Sequence, residues 1–211
     1  MIDLAIIDFG MGNLQSVVNA VKYLGECNPI VTSDYSDIES ANGLILPGVG
    51  AFGDAMNELS KRNLIKILNE EVLNNKKPIL GICLGMQLLF ESSEESKGQS
   101  GLSWIKGEVK KFKASNELRV PHVGWNELLI SRNENLFNNI DHDKNFYFVH
   151  SYYVSTDEKN IIANTNYGIE FVSAVKKENI YGTQFHPEKS HSNGLALLKN
   201  FFTIIQNKQN A

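Results

Sequence analysis

The sequence predicts an α/β fold: an open, mostly parallel central sheet flanked by helices, with additional antiparallel strands in the second half. Three observations carry that expectation. In the first 90 residues short apolar runs alternate with amphipathic stretches of helical period, the pattern of a parallel sheet with helices on both faces. The apolar runs end in glycine-bearing turns such as Pro47-Gly48-Val49-Gly50. After residue 104 the chain becomes rich in Val, Ile, Tyr and Phe with alternating polar residues, which reads as strands joined by turns.

The first strand is residues 4–7, running into Asp8-Phe9-Gly10-Met11-Gly12. Asn13 caps a helix whose Leu14, Val17, Val18, Val21 and Leu24 recur at helical spacing, and Gly25 stops it. Residues 29–32 and 43–46 are the second and third strands. A helical stretch follows Gly50, with Leu64, Ile67, Leu68, Glu71 and Val72 near its end. Residues 78–82 form a fully apolar fourth strand, and a helix starts at Leu84. The Ser/Glu-rich stretch 92–100 reads as a surface loop. Residues 104–113, 125–130, 146–154 and 161–184 read as strands, partly antiparallel. A last helix, about 193–207, places Leu195, Leu198, Phe201, Phe202 and Ile205 on one face. No repeat, linker or boundary interrupts the pattern, so residues 1–211 read as one domain.

Composition narrows the function class. The 211 residues are 42% apolar and 21% charged, as in ordinary globular proteins. With 20 basic against 24 acidic side chains the net charge is −4, so there is no basic surplus to coat a nucleic acid. No apolar run approaches the ~20 residues that span a bilayer. The N-terminal apolar run has no basic residues before it and is broken by Asp8, unlike a signal peptide. Cys27 and Cys83 are expected to be reduced thiols in a cytoplasm.

Cys83 stands out between these two. In Gly81-Ile82-Cys83-Leu84-Gly85 it follows an apolar strand and precedes a helix, with glycines two residues to either side. That is the logic of a nucleophile elbow, where small neighbours relieve crowding at a sharp turn and the helix N-terminus favours the thiolate. A small buried thiol in a strand is the competing reading. Cys27 has none of these features and is read as structural. A thiolate needs a base. Of His122, His142, His150, His186 and His191, His186 ends an apolar run and precedes Pro187-Glu188, whose carboxylate can orient the imidazole. His122 and His150 are expected to pack or hydrogen-bond, and His142 reads as exposed loop. No two histidines lie at i,i+4 and there is no Cys-x-x-Cys, so no metal site is expected. Backbone N–H groups of the Gly48–Val49–Gly50 segment and of Leu84 can face a developing oxyanion. In the Gly10-x-Gly12 loop Gln15 stands where the dinucleotide fingerprint has its third glycine, so no nucleotide cofactor is expected.

Taken together, Pro47-Gly48-Val49-Gly50-Ala51-Phe52-Gly53, Gly81-Ile82-Cys83-Leu84-Gly85-Met86-Gln87 and Gln184-Phe185-His186-Pro187-Glu188-Lys189-Ser190 resemble class I glutamine amidotransferases. Pro121-His122-Val123-Gly124-Trp125-Asn126 and Phe148-Val149-His150-Ser151-Tyr152-Tyr153 are similar to the glutaminase subunits of imidazole glycerol phosphate synthase. The resemblance implies a Cys83–His186–Glu188 triad that hydrolyses glutamine through a thioester, with Val49 and Leu84 N–H groups holding the oxyanion. It implies that Gln87, residues 48–50 and the His150-Ser151-Tyr152 backbone contact glutamine. It also implies a (β/α)8-barrel cyclase partner that receives the ammonia, with Trp125, Tyr147 and Lys189 near the interface. No second catalytic domain is visible, so the acceptor chemistry is expected on another chain. The alternative is a paralogous glutaminase that supplies a sugar-amidating synthase. A partnerless hydrolase and a catalytically dead binding subunit compete less well with an intact triad.

Overall fold

The computed structural model describes residues 1–114, 119–132, 134–140 and 145–210. His142 therefore lies outside the described residues. The first half runs β1 (Ile2–Ile7), α1 (Leu14–Leu24), β2 (Cys27–Thr32), α2 (Tyr35–Ser40), β3 (Gly43–Gly48), α3 (Phe52–Lys61), α4 (Leu64–Asn69), β4 (Ile79–Cys83) and α5 (Leu84–Leu88). It continues through β5 (Ser92–Ser93), β6 (Gly107–Lys111), β7 (His122–Glu127), β8 (Leu129–Ile130), β9 (Asn145–His150) and β10 (Tyr152–Thr156). The chain closes with β11 (Ile161–Tyr167), β12 (Ile169–Lys177), β13 (Ile180–Thr183) and α6 (His191–Gln209).

The centre of the large sheet is parallel, in the order β2-β1-β3-β4-β13. Beyond β13 the sheet continues antiparallel through β12 and β10 to β6, with β11 on β12. β7 and β9 form a separate antiparallel ribbon. Period 2 within the strands sorts the core onto two faces. Leu4 and Ile6 pack with Val17, Val21, Leu198, Phe201 and Phe202, from α1 and α6. Ala5 and Ile7 pack with Ile38, Phe52, Ala55, Leu59 and Leu64, from α2, α3 and α4. Among the described residues no helix is long and apolar enough to cross a membrane.

Local signals place α1 where the sequence expects it. The Asn13 side chain accepts from Ser16 N at 3.3 Å, and Gly25 ends the helix in the left-handed region at φ 68°. Three elements differ from expectation. The single helical stretch after Gly50 is broken at Asn63, which adopts φ 58° between α3 and α4, and α4 runs on into a π turn over Glu70–Asn74. Asparagine tolerates that conformation at little cost, so the hydrophobic period carries through the break unannounced. α2 buries only Ile38 and shows no helical period. The stretch 92–100 does more than cover surface. Ser93 is buried, Glu95 Oε2 accepts from Phe52 N at 2.7 Å, and Ser96 Oγ accepts from Gly53 N at 3.0 Å. These side chains satisfy the first N–H groups of α3, whose own N-cap, Ala51, has no side-chain acceptor.

Candidate active site

Cys83 closes β4 and opens α5. Its backbone sits at φ 54°, ψ −108°, a strained conformation for a residue with a Cβ. Close packing explains the flanking glycines. A Cβ on Gly85 would fall on the Leu46 carbonyl oxygen, and one on Gly81 would stand 2.8 Å from the Gly85 carbonyl. Without side chains at these positions α5 lies directly on β3 and β4, which pins the turn at Cys83. The helix is only five residues long, so its contribution is the free N–H groups of a first turn, Leu84 N among them, rather than a long macrodipole.

His186 reaches the site from the other side. β13 pairs parallel with β4, and its register puts Thr183 beside Ile82, so the segment leaving β13 runs past Cys83. His186 N donates to Tyr147 O at 2.9 Å. Ser190 Oγ donates to His186 O at 2.6 Å and accepts from Tyr147 N at 3.0 Å. The backbone carrying the imidazole is thus locked to β9. His186 Nδ1 lies 2.8 Å from Glu188 Oε1, in a pair whose side chains are almost fully buried. Because a carboxylate only accepts, Nδ1 carries the proton and Nε2 is turned inward. Among the described residues His186 Nε2 and Glu188 Oε2 are buried without a hydrogen-bond partner. Burial works against the imidazolium, but Cys83 and Glu188 outweigh it and raise the His186 pKa to about 10.

Cys83 opens into a cavity of about 270 Å³ lined by Val49, Gly50, Leu84, Gln87, Glu95, Val149, His150, Ser151 and Tyr152. Val49 is half exposed there, and Gly50 holds φ 109°, open to glycine. Gly48 has its φ outside the left-handed region. It is small because a Cβ there would meet Leu84 Cβ at 3.0 Å. Gln87 is buried, with Nε2 donating to Tyr152 O at 3.2 Å and to Gln184 Oε1 at 3.1 Å. Its Oε1 is the amide atom left for a ligand. Glu95, on the stretch that caps α3, brings a carboxylate to the cavity; nothing in the periodicity of residues 92–100 announces it.

His150 and His122 hydrogen-bond, as expected. His150 Nδ1 donates to Tyr152 O at 2.7 Å, so its Nε2 accepts from His122 Nδ1 at 3.0 Å. His122 is stacked between Phe148 and Tyr167. Burial keeps both rings neutral, lowering His122 to about 4 and His150 to about 3. Cys27 is buried away from all of this, its thiol pushed up to about 12 by burial and by the Glu26 charge.

Trp125, Tyr147 and Lys189 gather on one face. The Trp125 ring stacks on His191 at 4.8 Å and meets Tyr147 edge-on at 6.0 Å, and Lys189 Nζ lies 5.8 Å from the Tyr147 ring centre. Beside them a hollow of about 410 Å³ is lined by Glu188, Lys189, His191, Ser16, Asn19 and Tyr23, among others. A larger hollow of about 760 Å³, around Ser33, Tyr35, Arg62 and Lys66, holds none of these groups.

The family model for glutamine amidotransferase class-I matches residues 5–205. Imidazole glycerol phosphate synthase subunit HisH 2 of Vibrio vulnificus is 52% identical over 203 residues, covering 96% of this chain and 95% of that protein. HisH 2 of Methanococcus maripaludis is 50% identical over 199 residues, covering 94% and 98%. HisH of Bacillus cereus strain G9842 is 48% identical over 203 residues, covering 96% and 95%. Among solved structures, PurLQS from Thermotoga maritima is similar in fold, with a TM-score of 0.70 at 17% identity, over 97% of this chain and 100% of the other.

Proposed function

The chain belongs to the glutamine amidotransferase class-I family, and from that premise we propose that it is the glutaminase subunit of imidazole glycerol phosphate synthase, releasing ammonia from glutamine for a partner subunit. The observation that carries the reading is a cysteine on a strained strand–helix turn, with a buried His186–Glu188 pair at 2.8 Å, at the floor of a cavity of amino-acid size.

The chemistry follows from the groups present. His186 Nε2 takes the Cys83 thiol proton, Sγ attacks the side-chain amide carbon of glutamine, and the carbonyl electron pair moves to oxygen. The N–H groups of Leu84 and Val49 hold that oxyanion. His186 Nε2 gives its proton to the amide nitrogen, the C–N bond breaks, and ammonia leaves. Water then adds to the thioester carbon with the neutral imidazole as base, and glutamate and the thiolate are released. Glu188 holds the imidazole in the Nδ1–H tautomer throughout. The Glu95 carboxylate suits the α-ammonium of a free amino acid, and Gln87 Oε1 with the Val149–Tyr152 backbone suits the rest of its polar end.

Two openings support delivery to another chain. Cys83 faces the glutamine cavity, while Glu188 lines the hollow on the Trp125, Tyr147 and Lys189 face. Trp125 is 47% exposed and Val123 on the same strand 56%, large apolar groups left open for a partner. We assign that partner as a (β/α)8-barrel cyclase and place the complex in the cytoplasm. A second reading, a glutaminase that serves a sugar-amidating synthase, draws on two relatives whose names number them as a second HisH subunit. Steady-state glutamine hydrolysis by the chain alone, with the cyclase, and with cyclase plus its nucleotide acceptor tests the reading. Activity rising at each addition is expected. Equal kcat/KM in all three refutes the partnership, and activation by a sugar-amidating synthase instead establishes the second reading.

A further inference from the structure

We propose that Gln184 is a positioning residue for the nucleophile: its side-chain amide donates to the Cys83 sulfur, held in that orientation by Gln87, and thereby stabilises the thiolate. The inference rests on the reading of Cys83 as nucleophile and extends it to a residue outside the triad.

The strand register brings the two together. Thr183 of β13 lies beside Ile82 of β4; the next residues are Gln184, just past the end of β13, and Cys83, the last residue of β4. The Gln184 backbone is tied to β12 by N–H donation to Ser173 O at 2.8 Å, and its side chain is fully buried. Gln184 Nε2 lies 3.6 Å from Cys83 Sγ.

Which end of that amide faces the sulfur is settled by a chain of bonds anchored on a backbone carbonyl. Tyr152 O can only accept, so the Gln87 atom 3.2 Å from it is the NH2 group. The second proton of that NH2 group points to the Gln184 side chain at 3.1 Å, so the Gln184 atom there is the carbonyl oxygen. The NH2 of Gln184 is then the end that meets Cys83. His150 Nδ1 donates to the same Tyr152 carbonyl, which fixes that anchor from the other side.

The sulfur needs this donor once it ionises. A second polar neighbour, Val149 O at 3.8 Å, accepts from an S–H but offers nothing to a thiolate, towards which it turns the negative end of its dipole. His186, backed by Glu188, supplies positive charge from the segment after β13. His150 is neutral, and Glu95 across the cavity is acidic. Gln184 is thus the directed N–H that offsets the Val149 carbonyl, a hydrogen bond to a charged acceptor and so stronger than one between neutral groups.

The test is iodoacetamide alkylation of the full chain against pH, on a Cys27→Ala background so that Cys83 is the sole thiol. Gln184→Met keeps the shape and removes the donor. Its alkylation midpoint is expected to move up by about one pH unit, a ten-fold loss of reactivity below the midpoint, with the high-pH plateau unchanged. Gln87→Met, which frees the Gln184 amide to rotate, is expected to shift the midpoint in the same direction by less. Profiles that coincide with that of the parent overturn the proposal, as does a lowered plateau with an unmoved midpoint. If Gln184→Met loses its cooperative thermal transition, the Gln87→Met profile decides alone, and an unmoved midpoint there overturns the assignment. Parent Cys83 reacting no faster at neutral pH than in the unfolded chain refutes the nucleophile reading itself. A reactive Cys83 with coincident profiles refutes only the role of Gln184.

Discussion

A methyl group on Gly81 would press on the elbow from within the sheet. A Cβ there would stand 2.8 Å from the Gly85 carbonyl carbon and oxygen and 2.9 Å from Met86 N, all backbone atoms. Ordinary contact begins at 3.4 Å, so α5 would have to move back by about 0.6 Å. α5 carries Leu84 N and continues directly from Cys83, so both the nucleophile and an oxyanion donor move with it. Overpacking of this kind costs about 1–3 kcal/mol. For a chain of this size each kcal/mol is ~2–4 °C in Tm. Misplacement by ~1 Å at a reacting centre costs about 100-fold in rate. Gly81→Ala is therefore expected to melt several degrees lower and to lose roughly ten- to one hundred-fold in kcat/KM for glutamine. Gly98→Ala is the control. Gly98 holds φ 83° with nothing within 4 Å of its Cβ position, so alanine there adds about 1–2 kcal/mol of backbone strain and no collision. It is expected to lower Tm similarly and to leave kcat/KM unchanged. Equal kcat/KM in the two variants would refute the claim that close approach of α5 to β4 sets the Cys83 geometry.

Cys83→Ala is expected to abolish glutamine turnover and Cys27→Ala to leave it intact, since only Cys83 faces the cavity and the His186 imidazole; hydrolysis assays on both variants check this. His186 makes stability depend on pH in a defined window. Its pKa is raised in the folded chain, so its stabilising contribution is complete below 6.5 and is lost as pH rises towards about 10. Glu188→Gln removes one of the two groups that raise it, and Tm measured across that range is expected to fall less steeply than in the parent; parallel curves would show that Glu188 does not hold the imidazolium. His122 and His150 act with the opposite sign. Their folded pKa values are lowered to about 4 and about 3, so their contribution is present above 6.5 and is lost as pH falls towards those values. Thermal melts from pH 7 to pH 4 are expected to show a shallower decline for His122→Phe than for the parent, because one of two buried neutral imidazoles has been removed.

The features legible in the one-dimensional chain are those whose physics is local. The alternation of apolar runs with helical periods is read within a dozen residues, and it led to a parallel core flanked by helices, though not to its strand order. Asn13 and Gly25 bracket α1 by side-chain and backbone preferences that need no tertiary partner. The glycines around Cys83 announced a tight strand–helix turn, although their partners, the Leu46 carbonyl and the α5 backbone, are visible only in the fold. His186 and Glu188 are two residues apart, so their pairing was open to a sequence argument. What tertiary structure alone decided joins residues far apart in the chain. Glu95 reaches the cavity because it caps α3, 43 residues upstream. Gln184 meets Cys83 across 101 residues because β13 inserts beside β4 in parallel. Short polar side chains carry no periodicity, and their hydrogen bonds depend on which strands become neighbours. Strand order is a property of the whole packed core, so no window of sequence contains it.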